Sequence, residues 1–108
     1  MDESQMLKGL LEGCILAVIT RGETYGYAIF SDLEAAGLID INEGTLYPIL
    51  KRLEQKGYIK CRIGVSPYGP KRKYFSITEE GSAYITVWKN SYRQLIASAN
   101  LIIWGDEP

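Results

Sequence analysis

Apolar residues recur along the first twenty positions at helical spacing. Leu7, Leu10, Leu11, Cys14, Ile15 and Val18 share one face, which predicts a first helix over 5–20. RGE at 21–23 reads as a turn. Thr24 is placed to cap a second helix over 25–36, with Tyr25, Ala28, Ile29, Leu33 and Ala36 facing inward and Gly37 ending it. Asn42 is the expected cap of a third helix that runs to Lys56 and stops at Gly57. Within it Leu46, Ile49, Leu50 and Leu53 fall at i, i+3, i+4 and i+7, a single buried face interrupted by Pro48.

The period then changes from helical to two. In YIKCRIGV, Ile59, Cys61, Ile63 and Val65 alternate with Tyr58, Lys60, Arg62 and Gly64, the pattern of a strand with one buried side. SPYGPKR is a turn, and KYFSI returns with Phe75 and Ile77 inward. The two strands make a hairpin whose tip carries Tyr68, Lys71, Arg72 and Lys73. Thr78 caps a last helix, reaching about Ile103, with Glu79 and Glu80 in its first turn where the helix dipole favours carboxylates. Along it Ile85, Trp88, Tyr92, Leu95, Ala99 and Ile102 step alternately by three and four. That seam is too long and too aromatic for a small domain to absorb, so it predicts a partner helix. The fold class is mostly α with a small β-hairpin. It is expected as a winged helix-turn-helix over 1–78, followed by a dimerisation helix over 79–108 that packs with the first helix as one unit.

The third helix asks why its outward side keeps a proline. With Leu46 at the centre of the buried side, Gly44, Tyr47, Pro48, Lys51 and Gln55 lie on the far side, flanked by Thr45 and Arg52. Pro48 removes the bond to the Gly44 carbonyl, a tolerable loss near the first turns. Few bulky groups let the helix start approach its target closely. Thr45 and Tyr47 can hydrogen-bond phosphates or base edges, while Lys51 and Arg52 neutralise backbone charge. A recognition helix enters the major groove in this manner.

Charge changes the picture in the same direction. The whole chain is nearly neutral at −1, with an acidic pI near 5.4. Yet 51–73 holds eight basic residues against one acidic, a local +7, while the remainder holds four against twelve, or −8. One end attracts polyanions and the rest repels them, as a directional phosphate-backbone binder requires.

At 108 residues the chain is one domain. No apolar run reaches the roughly 20 residues that span a bilayer, and MDESQMLKG lacks the basic, then apolar order of a secretory leader. A cytoplasmic location is expected. Cys14 and Cys61 read as reduced core thiols, and with no histidine and no cysteine cluster neither a zinc site nor another cofactor is expected. No Gly-rich phosphate loop or serine nucleophile motif appears, which argues against an enzyme. A winged-helix docking module without a DNA role is the competing function, since the fold also serves that purpose.

Three stretches carry a family resemblance: GETYGYAIFSDLE, EGTLYPILKRLEQKGYI and GPKRKYFSITEEG. In this order and spacing, over about 7–85, they resemble the PadR-like transcriptional regulators, and the single helix after ITEEG resembles the short-chain branch. The resemblance implies a winged-helix homodimer, usually a repressor, on an inverted-repeat operator in double-stranded DNA. It also implies that the last helix pairs across the two-fold, often with the first. By position it assigns DNA contacts to Thr45, Tyr47, Lys51 and Arg52 in the recognition helix and to Lys71, Arg72 and Lys73 in the wing. Tyr27, in the Tyr-Gly-Tyr stretch, is assigned either to phosphate or to packing. Some members bind flat aromatic ligands at the dimer centre, for which Trp88 and Tyr92 are the nearest candidates here.

Overall fold

A computed structural model describes residues 3–65 and 69–106. In chain order the elements are α1 (Ser4–Ile19), β1 (Thr24–Tyr25), α2 (Gly26–Ala35), α3 (Glu43–Gln55), β2 (Ile59–Gly64), β3 (Arg72–Ile77) and α4 (Glu79–Trp104). The strands form one antiparallel sheet in the order β1-β3-β2. Together they make the expected winged helix-turn-helix, with one strand more than the sequence predicts. Tyr68 lies outside the described residues.

The extra strand corrects the start of the second helix. Thr24 does not cap it. Thr24 and Tyr25 pair with Phe75 and Tyr74 across β1 and β3, and Tyr25 is extended at φ −143° and ψ 168°. The chain therefore steps from sheet into helix at Gly26, and Tyr25 is only half-buried rather than a core residue. Ala36 sits past the last turn and is exposed.

Other helix ends follow their local chemistry. Asn42 accepts the Thr45 amide at 3.0 Å, so α3 starts where its cap predicts. Both α2 and α3 close with the same pair of bonds. Leu38 and Gly37 donate to Leu33 and Glu34 after α2, and Tyr58 and Gly57 donate to Leu53 and Glu54 after α3. Gly37 at φ 99° and Gly57 at φ 79° take the left-handed turn this closure needs. Thr78 caps α4 by accepting the Gly81 amide at 3.0 Å, and its hydroxyl donates to the Gly57 carbonyl at 2.6 Å. One threonine thus ties the end of α3 to the start of α4.

The core sits around α1. Leu11, Ile15, Leu16 and Ile19 of α1 meet Ile29 and Leu33 of α2, Leu46, Leu50 and Leu53 of α3, Ile59 and Phe75 of the sheet, and Ile85 of α4. The hairpin outruns this core. The expected alternation holds only at its base, where Ile59 is buried and Cys61 half-buried; Ile63 and Val65, expected inward, stand exposed, with Gly64 half-buried between them. Among the described residues no helix is long and apolar enough to cross a membrane.

Candidate nucleic-acid interface

The open side of α3 is narrower than its polar face. Tyr47 and Arg52 lie about 100° and 120° to either side of Leu46, at the two edges of the polar arc. Each leans on a neighbour. The Tyr47 hydroxyl occupies the space a side chain would take at Gly26, so glycine there lets α3 seat against the start of α2. On the other edge Arg52 and Lys56 each lie 3.8 Å from the Glu12 carboxylate of α1. Between these edges Gly44, Pro48, Lys51 and Gln55 face solvent, with Thr45 exposed at the helix start.

The wing carries a second cationic set on an ordered base. Arg62, Tyr74 and Tyr25 are cross-strand neighbours on β2, β3 and β1. The Arg62 guanidinium lies 4.6 Å from the Tyr74 ring centre, Tyr74 meets Tyr25 edge-on at 5.8 Å, and Arg72 lies 4.2 Å from the Tyr25 ring centre. Arg62 also donates Nε and Nη2 to the two Glu23 oxygens at 2.7 and 2.6 Å. These hydrogen bonds hold the Glu23 carboxyl below its ordinary range and raise Arg62 further. The local charge of +7 is therefore partly spent inside the protein. Among the described residues no carboxylate reaches ion-pair distance of Lys51, Lys60, Lys71, Arg72 or Lys73.

A contact path joins the two sets. Tyr47 of α3 touches Gly26, and the preceding Tyr25 carries Arg72 of β3. Tyr27, one residue beyond the joint, is 74 % exposed. Sequence reasoning missed Glu12, Glu23, Tyr25 and Tyr74 as parts of this surface. Their pairing depends on strand register and helix crossing, which residue spacing within one element does not carry.

Along α4 the predicted seam divides in two. Ile85 is 4 % exposed and belongs to the chain's own core, so it has no surface left to give a partner, contrary to expectation. The Trp88 indole fills the space above Gly13 of α1 and stacks on Tyr92, ring centres 5.5 Å apart and nearly parallel. Beyond it Tyr92, Leu95 and Ile102 are exposed, and Ala99 is half-buried.

With this geometry in place, residues 15–87 match the family described as transcriptional regulator PadR-like. The chain belongs to the PadR-like family. Over 94 % of its length it is 38 % identical to a PadR-like transcriptional regulator from Bacillus cereus, covering 99 % of that chain with a TM-score of 0.83. A PadR family regulator from Eggerthella lenta is 26 % identical with a TM-score of 0.85, covering 94 % of this chain and 88 % of that one. Bacillus subtilis PadR, solved in complex with operator DNA, is 26 % identical with a TM-score of 0.66; the match spans 73 % of this chain and 46 % of that one. This PadR-like chain thus shares its winged helix with a family of transcriptional regulators.

Proposed function

We propose that this PadR-like regulator binds an inverted-repeat DNA operator as a homodimer and represses transcription in the cytoplasm, without catalysing a reaction. The observation that carries the reading is that Lys51 on α3 and Lys71, Arg72 and Lys73 on the wing are exposed and, among the described residues, without an ion-pair partner, on elements linked through the Tyr47–Gly26 and Tyr25–Arg72 contacts. In this reading Thr45 and Tyr47 meet bases or phosphates at the groove-facing start of α3, Tyr27 meets a flanking phosphate, and Arg52 contributes after loosening from Glu12. The operator complex of Bacillus subtilis PadR supports the choice of partner.

Residues 1–78 then form the DNA-binding part and 79–108 the pairing part, through α4. Trp88, Tyr92, Leu95, Ala99 and Ile102 line the seam between copies, with half-sites about one helical turn of DNA apart. A small aromatic ligand that released the operator would meet Tyr92 on its outer face, because Trp88 covers the inner one.

Gel shifts on the promoter upstream of the chain's own gene test the reading. Saturable, salt-sensitive binding is expected. Lys51→Ala with Lys73→Ala should lower the log-affinity against log-salt slope by about 2, one unit for each lost phosphate contact. No preference for that promoter over random duplex at moderate salt would end the proposal, and the same activity in the double variant would favour a protein-docking module.

A further inference from the structure

We propose that Tyr25 is a positioning residue for DNA binding: its ring, backed edge-on by Tyr74, holds the Arg72 guanidinium out toward a backbone phosphate of duplex DNA, while Glu23 withdraws Arg62 from that role. The inference rests on the DNA-binding reading above and names how one of its contacts is prepared.

Two arginines lie on the same small sheet, and each is stacked on a tyrosine. Arg62 lies on Tyr74 at 4.6 Å and Arg72 on Tyr25 at 4.2 Å. A guanidinium lying on an aromatic face uses its flat side and leaves the in-plane N–H groups along its edge free. What separates the two is that edge. In Arg62 it is filled by both oxygens of Glu23, whereas no carboxylate among the described residues reaches Arg72. Arg72 therefore offers the planar fork that pairs with two phosphate oxygens at once. Arg62 is bound as a strut of the wing.

The base under Arg72 is itself fixed from three sides. Tyr25 is held by its β1 pairing with Tyr74 and by the start of α2 at Gly26, where Tyr47 of the recognition helix lands. Tyr74 in turn lies over Gly64, where any side chain would displace its ring. The residue that orients the wing arginine thus adjoins the joint that seats α3. Ordering of the long Arg72 side chain is largely complete before DNA arrives, which lowers the entropic cost of the contact.

Phosphate contacts do not depend on sequence, so the test uses a mixed-sequence duplex several helical turns long, the full chain, and fluorescence anisotropy over a salt series. Arg72→Ala should weaken binding and lower the salt slope by about 1. Tyr25→Leu should keep the slope, because the charge remains, yet weaken binding about two- to fivefold. Tyr25→Phe should bind like the wild type, because the ring alone holds the guanidinium. In an Arg72→Ala background Tyr25→Leu should have no further effect, and Arg62→Ala alone should leave the slope unchanged.

A Tyr25→Leu loss that persists without Arg72 would show a merely structural role and overturn the proposal. So would an unchanged Tyr25→Leu affinity alongside a weakened Arg72→Ala. If Arg72→Ala binds as tightly as wild type, Arg72 is not a phosphate contact and the proposal falls while the DNA-binding reading stands; a wild-type chain that does not bind the duplex even at low salt would end that reading instead. Should Tyr25→Leu melt the chain, Arg72→Lys tests the same point from the other partner. It keeps the charge and the slope but loses the flat stack, and an undiminished affinity there would refute the claim.

Discussion

The two long helices, α1 and α4, are both rich in apolar residues, yet they dispose of them differently. Over 16 residues α1 buries Leu11, Ile15, Leu16, Val18 and Ile19, none more than 7 % exposed. Over 26 residues α4 buries a single large side chain, Ile85, and leaves Leu95, Leu101, Ile102 and Ile103 between 66 and 85 % exposed. At about 1.5 Å per residue α4 is some 39 Å long, so only its first half can lie on a core this small. The same driving force acts on both helices, but in α1 it is satisfied within the chain. In α4 a contiguous apolar stripe is left for another surface, which is how pairing faces differ from cores.

The largest expected effect lies at the free end of α4. If the proposed homodimer pairs through α4, Leu95→Glu combined with Ile102→Glu should raise its dissociation constant about a thousandfold or more, since each carboxylate must be desolvated at the seam. The thermal stability of the separated chain should hardly move. Sedimentation showing an unchanged dimer would place the pairing surface elsewhere. On α1 the same logic runs inward. Leu16→Ala, at a fully buried position, should cost about 3 kcal/mol of folding stability by chemical denaturation.

The smallest effect is where the two helices touch. Tyr84 of α4 donates its hydroxyl to Glu12 of α1 at 3.3 Å and stacks on Tyr58 with ring centres 4.2 Å apart. Tyr84→Phe should cost less than about 1 kcal/mol at neutral pH. Burial, then the nearby Glu12 charge and hydrogen bond, raise the Tyr84 pKa above its ordinary value. The folded state therefore favours the neutral phenol. That contribution is complete below the ordinary tyrosine range and is lost as pH rises through the raised value. Alkaline melts should show a steeper stability loss for wild type than for Tyr84→Phe; parallel curves would mean the contact contributes nothing.

Helix order, the Asn42 and Thr78 caps and the position of the hairpin could all be read from the sequence, because each depends on residues within one turn of each other. The buried face of α3 was legible for the same reason, since Leu46, Ile49, Leu50 and Leu53 announce it through spacing alone. What escaped depends on distant pairs. Tyr25 resembles a helix-start core residue until β1 finds β3, and the apparent cluster of free cations shrinks once Glu12 and Glu23 are brought in from other elements. Ile85 and Leu95 both fall on the predicted seam. Only the length of the core decides that one is inside and the other is not.

The Tyr47–Gly26 contact carries a consequence for how such a regulator changes its target. With the Tyr47 phenol standing where a methyl group at position 26 would be, α3 packs against the start of α2 through a contact that any side chain at Gly26 would disturb. If α3 reads DNA as proposed, new operator preferences would be reached more readily by exchanging its exposed side chains than by re-aiming the helix.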